Sequence, residues 1–546
     1  MRRLILGFLV YLIFFNSSAL FAEDNIIMHK PEPQIVRVGI SDNNFSNYLF
    51  DRVSVSSNSS FIISDNFEKE ILLEPYKTAD ITFKDGQFEV CDGNNVILKT
   101  DKKLVISSTN IGVLYINGLK RKSKQAFYKG NIELEISLSN PLNKFAIVNV
   151  LPLQDYLKGV VPNEMPVSFG LEALKAQAIL ARNYLLKPRE KYYKEFDICD
   201  SVACQVYFGA NTQEPLSDKA VDETQNLVVL YDNDLILAVY SSTSGGYTES
   251  YKNVFMKNMQ GRIMSPNVPY LTAVPDDKET PKLDTEEKVR EFYSYSPETF
   301  DNKSPYFRWK IEWDISDLEK ILAKTITSQN IRGFIKTKYE VNYNDPNYFG
   351  HLKSVFINKR GESGKVIALT LITDKNEFTV YKELSIRKVF LYNNKILPSA
   401  NVYFDIKDNK LTATGGGLGH GVGMSQWGAG AMAKKGYKFF DIIHHYYKDV
   451  KISVLPFNVY PHKPLAVEFF TESKKSDLKF ENKVHIKELN IIINNKQLND
   501  EMKKKLIKDG GINISHYIKK GKNFIIFELY GDKNVNGVKF WIESEE

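Results

Sequence analysis

The sequence predicts a β-rich α+β fold, in which a central domain of mixed strands and helices is flanked by N- and C-terminal β-rich regions. Three observations predict it. Runs before residue 150 alternate apolar and polar side chains, as half-buried strands do. Apolar residues at helical spacing begin only after residue 152. Past His462 lysine becomes more frequent and β-prone runs return.

Taken in order, Arg2 and Arg3 precede an apolar run from Leu4 to Phe15, followed by Asn16-Ser17-Ser18-Ala19. This is the pattern of a secretory signal. Residues 1–22 are read as that signal, cut after Ala19 or Ala22, or as an uncleaved anchor, because Leu4 to Ala22 approaches a spanning length. Either way the rest of the chain is expected to be exported, to the cell envelope, periplasm or exterior. Residues 33–109 form the expected N-terminal β-rich region, with strands at Ile35–Ile40 and Val53–Ser56. Asp85-Gly86, Asp92-Gly93 and Asn117-Gly118 are read as turns. Ile147–Val150 is one more strand.

The central domain is expected over 110–455. Leu171, Leu174, Ala178, Ala181 and Leu185 predict a helix, with Ser168 as its cap and Pro188 as its stop. A second helix is expected over Asp218–Gln225, then a hairpin of Leu227–Tyr231 and Leu235–Tyr240. Short helices follow near 285–294 and 316–324, with a strand over Val366–Ile372. A glycine-rich loop at Gly415–Gly423 leads into a helix ending near Gly436, and another helix runs over Phe439–Tyr447. Residues 462–546 are read as an appended C-terminal module with strands at Ile491–Ile493 and Phe524–Leu529.

Composition excludes several classes. The 546 residues are 43% hydrophobic and 25% charged, which excludes a disordered or multi-pass membrane chain. Three cysteines exclude a disulfide scaffold and a four-cysteine zinc site. The net charge of +6 is spread along the chain without an arginine-rich block, so no nucleic-acid partner is expected.

Two segments stand out chemically. In Leu151-Pro-Leu-Gln-Asp-Tyr-Leu-Lys-Gly-Val-Val-Pro-Asn-Glu-Met-Pro166, Glu164 lies between two prolines in an apolar setting. Partial burial there would raise its pKa toward working pH, as a general acid needs, whereas on the segment alone it also reads as a solvated turn residue next to a helix start. On the following helix Lys175 and Arg182 are seven residues apart and share a face, and Arg182 lies at the edge of the apolar stripe. A guanidinium there either pairs with Glu164 or a sugar carboxylate, or lays its stem on apolar surface with its head in water. In Gly415-Gly-Gly-Leu-Gly-His-Gly-Val-Gly-Met-Ser-Gln-Trp-Gly428, half of the residues are glycine. Such density implies unusual backbone angles or close approach to a ligand, and His420 is placed to reach a substrate or is a structural histidine of the loop. No Gly-Lys-Ser/Thr follows, so this is not a phosphate loop. The turn Tyr240-Ser-Ser-Thr-Ser-Gly-Gly-Tyr-Thr-Glu249, which holds Ser244 and Gly245, could line a sugar groove or be an ordinary loop. Cys199 and Cys204 are a candidate disulfide in an exported chain, and Cys91 is read as a lone, buried thiol.

These motifs resemble the stage II sporulation protein D family, also called the amidase-enhancer family. The likeness rests on the Glu164 segment, Leu171-Glu-Ala-Leu-Lys-Ala-Gln-Ala-Ile-Leu-Ala-Arg182, Phe196-Asp-Ile-Cys-Asp with Cys204-Gln-Val-Tyr207, and Ser242-Thr-Ser-Gly-Gly-Tyr-Thr-Glu249. Tyr270-Leu-Thr-Ala-Val-Pro-Asp276 and Gly419-His-Gly-Val-Gly-Met-Ser-Gln-Trp-Gly-Ala429 complete it. The resemblance implies a peptidoglycan lytic transglycosylase that cuts the MurNAc-GlcNAc bond of glycan strands stripped of stem peptides, leaving 1,6-anhydroMurNAc ends. It implies Glu164 as acid and then base. It also implies substrate-binding positions at Lys175, Gln177 and Arg182 on the helix, and at Ser244, Gly245, Asp276, His420 and Gln426 in the later motifs. The family's other role, a non-enzymatic glycan-binding activator of a cell-wall amidase, is the alternative. In sporulation members the paired cysteines join histidines at zinc. Here Ala203 precedes Cys204 and no histidine lies between His29 and Cys199, so no cofactor is expected, and a disulfide or free thiols replace the metal.

Overall fold

A computed structural model describes residues 34–545 apart from 67, 188–192, 277–279, 281, 474, 482–485, 487 and 531–536. The leader at 1–22 and the Pro188 helix stop lie outside the described residues. The fold is β-rich α+β, with 39% strand and 21% helix.

Two N-terminal sheets come first. In one, Phe145–Pro152 lies between Ile35–Ile40 and Asn131–Ile136, and the sheet continues through Leu104–Ser108, Phe61–Asp65 and Glu70–Leu73. The other runs from Lys124–Tyr128 through Leu114–Arg121, Arg52–Ser57, Thr78–Lys84 and Gln87–Asp92 to Asn95–Thr100. Alternation places the core faces: in Thr78–Lys84 the buried residues are Ala79, Ile81 and Phe83. Asp85-Gly86 and Asp92-Gly93 are hairpin turns as expected. Asn117-Gly118 is not a turn; it lies inside Leu114–Arg121, where the register shifts between Tyr115 and Lys120. Glycine at φ +79° there lets the strand bulge and continue.

The central strand Phe145–Pro152 feeds directly into helix α1 (Leu153–Glu164). Helix α2 (Leu171–Leu186) starts at Gly170, and Ser168 is not its cap but part of the single 3-10 turn Val167–Phe169. Every residue of α2 from Ala173 to Asn183 is buried, so it is the axle of the molecule rather than a surface helix with one apolar stripe. Helix α3 (Pro215–Asp222) begins earlier than expected because Pro215 suits the first helical position. Of the expected second hairpin strand only its first residue, Leu235, is paired in a strand with Leu227–Tyr231, together with Asp234 of the expected turn. Tyr240–Ser241 instead pairs in parallel with Met424–Ser425, which brings the hydroxyl-rich turn against the glycine-rich loop.

The middle of the chain has its own core, where Leu318, Leu322 and Ile326 of the helix Ile315–Asn330 pack on Leu369, Leu371 and Val380. The lysine-rich end is built into the rest. Val538–Glu545 pairs with Lys451–Val454, which itself pairs with Leu227–Tyr231. One hydrophobic core therefore extends from Val36 to Ile542.

Candidate functional site

Glu164 is the last residue of α1, not a loop residue between prolines. Pro162 is accommodated within the last turn, and the chain becomes extended at Met165 (φ −133°). The residue keeps a partly open edge. Burial nevertheless pushes its carboxyl up to about 7, against the stabilising hydrogen bonds of the Val206 N–H and the Gln426 side chain. The C-terminal end of a helix is also the wrong end for a negative charge. The Val206 N–H donates to Glu164 Oε1 at 2.6 Å.

The neighbours of Glu164 are tied to one another. Gln426 Nε2 donates to Gln177 Oε1 (3.2 Å), and the buried Gln177 Nε2 has no partner among the described residues. Gln205 accepts from the Tyr156 hydroxyl (3.0 Å) and donates to the Tyr240 hydroxyl (3.0 Å) and to Ala181 O (3.3 Å). Gly159 of α1 lies so close to Tyr207 that a Cβ would sit 2.5 Å from the ring, so glycine lets α1 meet the Gln205–Tyr207 segment. The site thus gathers Glu164 from α1, Gln177 from α2, Val206 and Gln205 from one segment, Tyr240 from a strand and Gln426 from the end of the glycine-rich loop.

Other expected site residues lie elsewhere. Lys175 is buried among Glu223 (2.8 Å), Glu472 (2.9 Å) and Glu172 (3.5 Å), with the rings of Phe439 and Phe470 beside it. Burial works against its charge, but these carboxylates more than compensate and its pKa is raised. Lys175 is about 200° round the helix from Gln177, and it fastens α2 to the C-terminal module. Arg182 does not hold Glu164. Its Nη1 donates to Leu227 O (2.8 Å) and Nη2 to Gln154 Oε1 (3.4 Å), and Nε has no partner among the described residues. Burial lowers it to about 9, so it remains charged near neutral pH.

The hydroxyl-rich turn does not present Ser244 and Gly245 to solvent. Asp301, fully buried, accepts from Thr243 Oγ1 (2.5 Å), Ser244 Oγ (2.9 Å), Gly245 N–H (2.9 Å) and Ser425 Oγ (3.2 Å). This shared carboxylate pins the turn to the glycine-rich loop. Asp276 is also buried; burial and the nearby Asp301 push it up to about 6, with His445 opposing at 3.5 Å. His420 is likewise held from within the fold. Its Nδ1 accepts the Val422 N–H (3.0 Å), and its ring is also hydrogen-bonded to the Tyr240 backbone. Burial, with Lys365 and Arg387 nearby, lowers it to about 3, so the ring is neutral and clamps the loop to the Tyr240 strand. At Gly423 (φ +70°) a Cβ would lie 2.0 Å from Val239 O, which explains glycine where loop and strand touch.

Cys199 and Cys204 are joined in a disulfide, so neither sulfur is a free thiolate, whereas Cys91 is free but only partly buried, at the irregular end of the Gln87–Asp92 strand. These residues do not fit a zinc site. Sequence reasoning missed Asp301, Tyr156 and the pairing of Gln205 with Tyr240. Gln205 stood in a matching motif, but nothing in the segment around Asp301 signalled its role.

The comparisons with known proteins align with this geometry. Residues 142–231, which carry Glu164, Gln177, Val206 and the disulfide, match the family model described as Stage II sporulation protein. Residues 259–423 match a Domain of unknown function (DUF8618). An uncharacterized protein of Brachyspira hyodysenteriae is 29% identical over 386 residues, covering 69% of this chain and 87% of that protein. The amidase enhancer of Bacillus subtilis is 29% identical over 316 residues, covering 53% of this chain but only 39% of the relative. The stage II sporulation protein D of Bacillus amyloliquefaciens is 28% identical over 323 residues, covering 56% of this chain and 75% of the relative. Residues 142–231, centred on the α1–α2 site, thus form a Stage II sporulation domain, and the chain is similar to stage II sporulation protein D and amidase-enhancer proteins.

Proposed function

We propose that the chain is a lytic transglycosylase of the cell envelope. It cuts the MurNAc-GlcNAc bond of peptidoglycan strands freed of stem peptides. The supporting observation is the state of Glu164: a carboxyl pushed up to about 7, hydrogen-bonded by Val206 and Gln426, on which no other described carboxylate acts. Hydrolytic glycosidases use a pair of carboxylates, the second serving a water or bonding to the sugar. A single carboxyl suffices when the sugar supplies its own nucleophile. Glu164 donates its proton to the glycosidic oxygen, and the C1–O bond breaks with its electrons leaving on that oxygen. The carboxylate then takes the proton of the C6 hydroxyl as that oxygen bonds to C1. The 1,6-anhydro ring closes and Glu164 is protonated again. The Val206 N–H stabilises the carboxylate between the two proton transfers.

The experiment is incubation of the protein with peptidoglycan strands, with and without prior amidase treatment, and mass spectrometry of the products. Anhydro ends are expected from the peptide-free strands. The second reading, a glycan-binding activator of a cell-wall amidase, draws on the amidase-enhancer relative. On that reading Glu164→Gln would leave amidase stimulation intact.

A pH dependence follows. The first step needs protonated Glu164, so kcat/KM is expected to be flat on the acid side and to fall as pH rises through about 7. Stability carries the same sign. Between the ordinary 4.5 and about 7 the folded chain holds a proton that the unfolded chain releases. The contribution of Glu164 to stability is therefore full below 4.5 and lost as pH rises toward 7. A pH–rate profile and thermal melts across this window check both.

A further inference from the structure

We propose that the Cys199–Cys204 disulfide is the tether that holds the Val206 N–H against Glu164, so that the site is fully assembled only in the oxidised chain. The inference rests on the transglycosylase reading and adds a regulatory device to it.

The segment from Cys199 to Tyr207 is fixed at both ends, with Gln205 also held by its side-chain hydrogen bonds, and only its tip at Val202-Ala203 is exposed. At its start, Ile198–Cys199 pairs in parallel with Val38–Gly39. Cys199 is fully buried beside Ala146, Val148 and Phe196. Asp200 accepts from Arg121 Nη2 (2.7 Å) and from the Ser41 hydroxyl (2.7 Å). At its end, the Tyr207 hydroxyl donates to Asn149 Oδ1 (2.6 Å). Between them the chain loops out until Val202 is 91% exposed, so packing does not hold the loop tip. Cys204 returns the chain to the sheet, and its sulfur is bonded to the buried Cys199. Only Gln205 separates Cys204 from the donor that meets Glu164 at 2.6 Å. The covalent bond therefore connects the rigid sheet to the positioning residues Gln205 and Val206.

The chemistry is balanced. Closing the S–S bond removes two protons and two electrons from the thiols of Cys199 and Cys204. A disulfide-bearing oxidant takes them up and leaves as its dithiol. A dithiol reductant reverses the exchange and attacks at Cys204, the less buried sulfur. Reducing compartments keep such pairs as thiols and oxidising ones keep them bonded. The reduced chain would fold with Glu164 in place but with its hydrogen-bond donor loosened.

The test compares the full chain, oxidised and treated with dithiothreitol, and the double variant Cys199→Ser/Cys204→Ser. Hydrogen exchange of the peptide spanning 200–207 is read beside the rate on peptide-free strands. On reduction, exchange at Gln205 and Val206 is expected to rise while α1 and α2 stay protected. The rate is expected to fall by about 10²-fold, the cost of a misplaced catalytic contact. The falling limb of the pH profile is expected to shift above about 7, because the Val206 N–H that holds the carboxyl down is lost. The double variant is expected to match reduced wild type and to ignore dithiothreitol. Unchanged exchange at 205–206 overturns the tether, as does unchanged rate with an unchanged pH limb. If neither redox form makes anhydro ends, the transglycosylase reading fails, and exchange alone still decides the tether.

Discussion

Glu164→Gln is expected to lower the formation of anhydro ends by about 10²–10⁴-fold, the range that a positioned general acid contributes. The variant keeps the size and most of the hydrogen bonding of the original. An amide oxygen can still accept from the Val206 N–H, which now meets Glu164 Oε1 at 2.6 Å. What it loses is the transferable proton. The fold is not expected to suffer, because burial already favours the uncharged carboxyl. Above pH 7 the amide also removes the cost of an ionised carboxylate, so the melting temperature is expected to hold or rise slightly. Circular dichroism melts beside product assays separate this outcome from simple unfolding. A variant that folds and still releases anhydro ends at the wild-type rate would show that the acid has been misassigned.

The largest stability effect is expected at Arg121→Met. Arg121 Nη2 and Asp200 Oδ2 form an ion pair at 2.7 Å, with both side chains fully buried. Removing the arginine leaves Asp200, among the described residues, with the Ser41 N–H (3.1 Å) and hydroxyl (2.7 Å). Breaking one side of a buried pair costs about 3–5 kcal/mol, because the remaining charge is uncompensated. The loss should shrink at low pH, where Asp200 takes up a proton; burial already raises its pKa even with Arg121 present. Replacing both residues with Arg121→Met/Asp200→Leu should recover much of the stability, since an apolar pair can substitute for a buried ionic one. Chemical denaturation of the three variants at neutral and acidic pH checks the pattern. A single variant as stable as wild type at neutral pH would contradict it.

Much of the architecture could be read from local pattern. Alternation identified Ile35–Ile40, and Asp-Gly pairs marked two hairpin turns. Helical spacing found α2, and the glycine cluster marked the loop that delivers Gln426. Misreadings arose where a distant partner decided the outcome. Pro162 reads as a helix breaker, yet α1 absorbs it in its last turn and Glu164 becomes a helix terminus. Lys175 shares a face with Arg182 and reads as a substrate-binding residue, but Glu223, Glu172 and Glu472, the last almost three hundred residues away, surround it. His420 sits between glycines and reads as a substrate ligand, but the Tyr240 backbone and the Val422 N–H take its ring. Ser244 is spent on Asp301, which no local signal announces. In each case the side chain's chemistry was visible in the sequence, whereas its partner was set by packing between segments far apart in the chain.

The most direct measurement is the mass of the reducing ends released by the wild-type protein from peptide-free glycan strands. The single-carboxyl mechanism predicts ends one water lighter than ordinary reducing muramic acid, with no incorporation of oxygen from labelled water. Ordinary reducing ends that carry the label would show that water attacks C1, and would contradict a transglycosylase built on Glu164 alone.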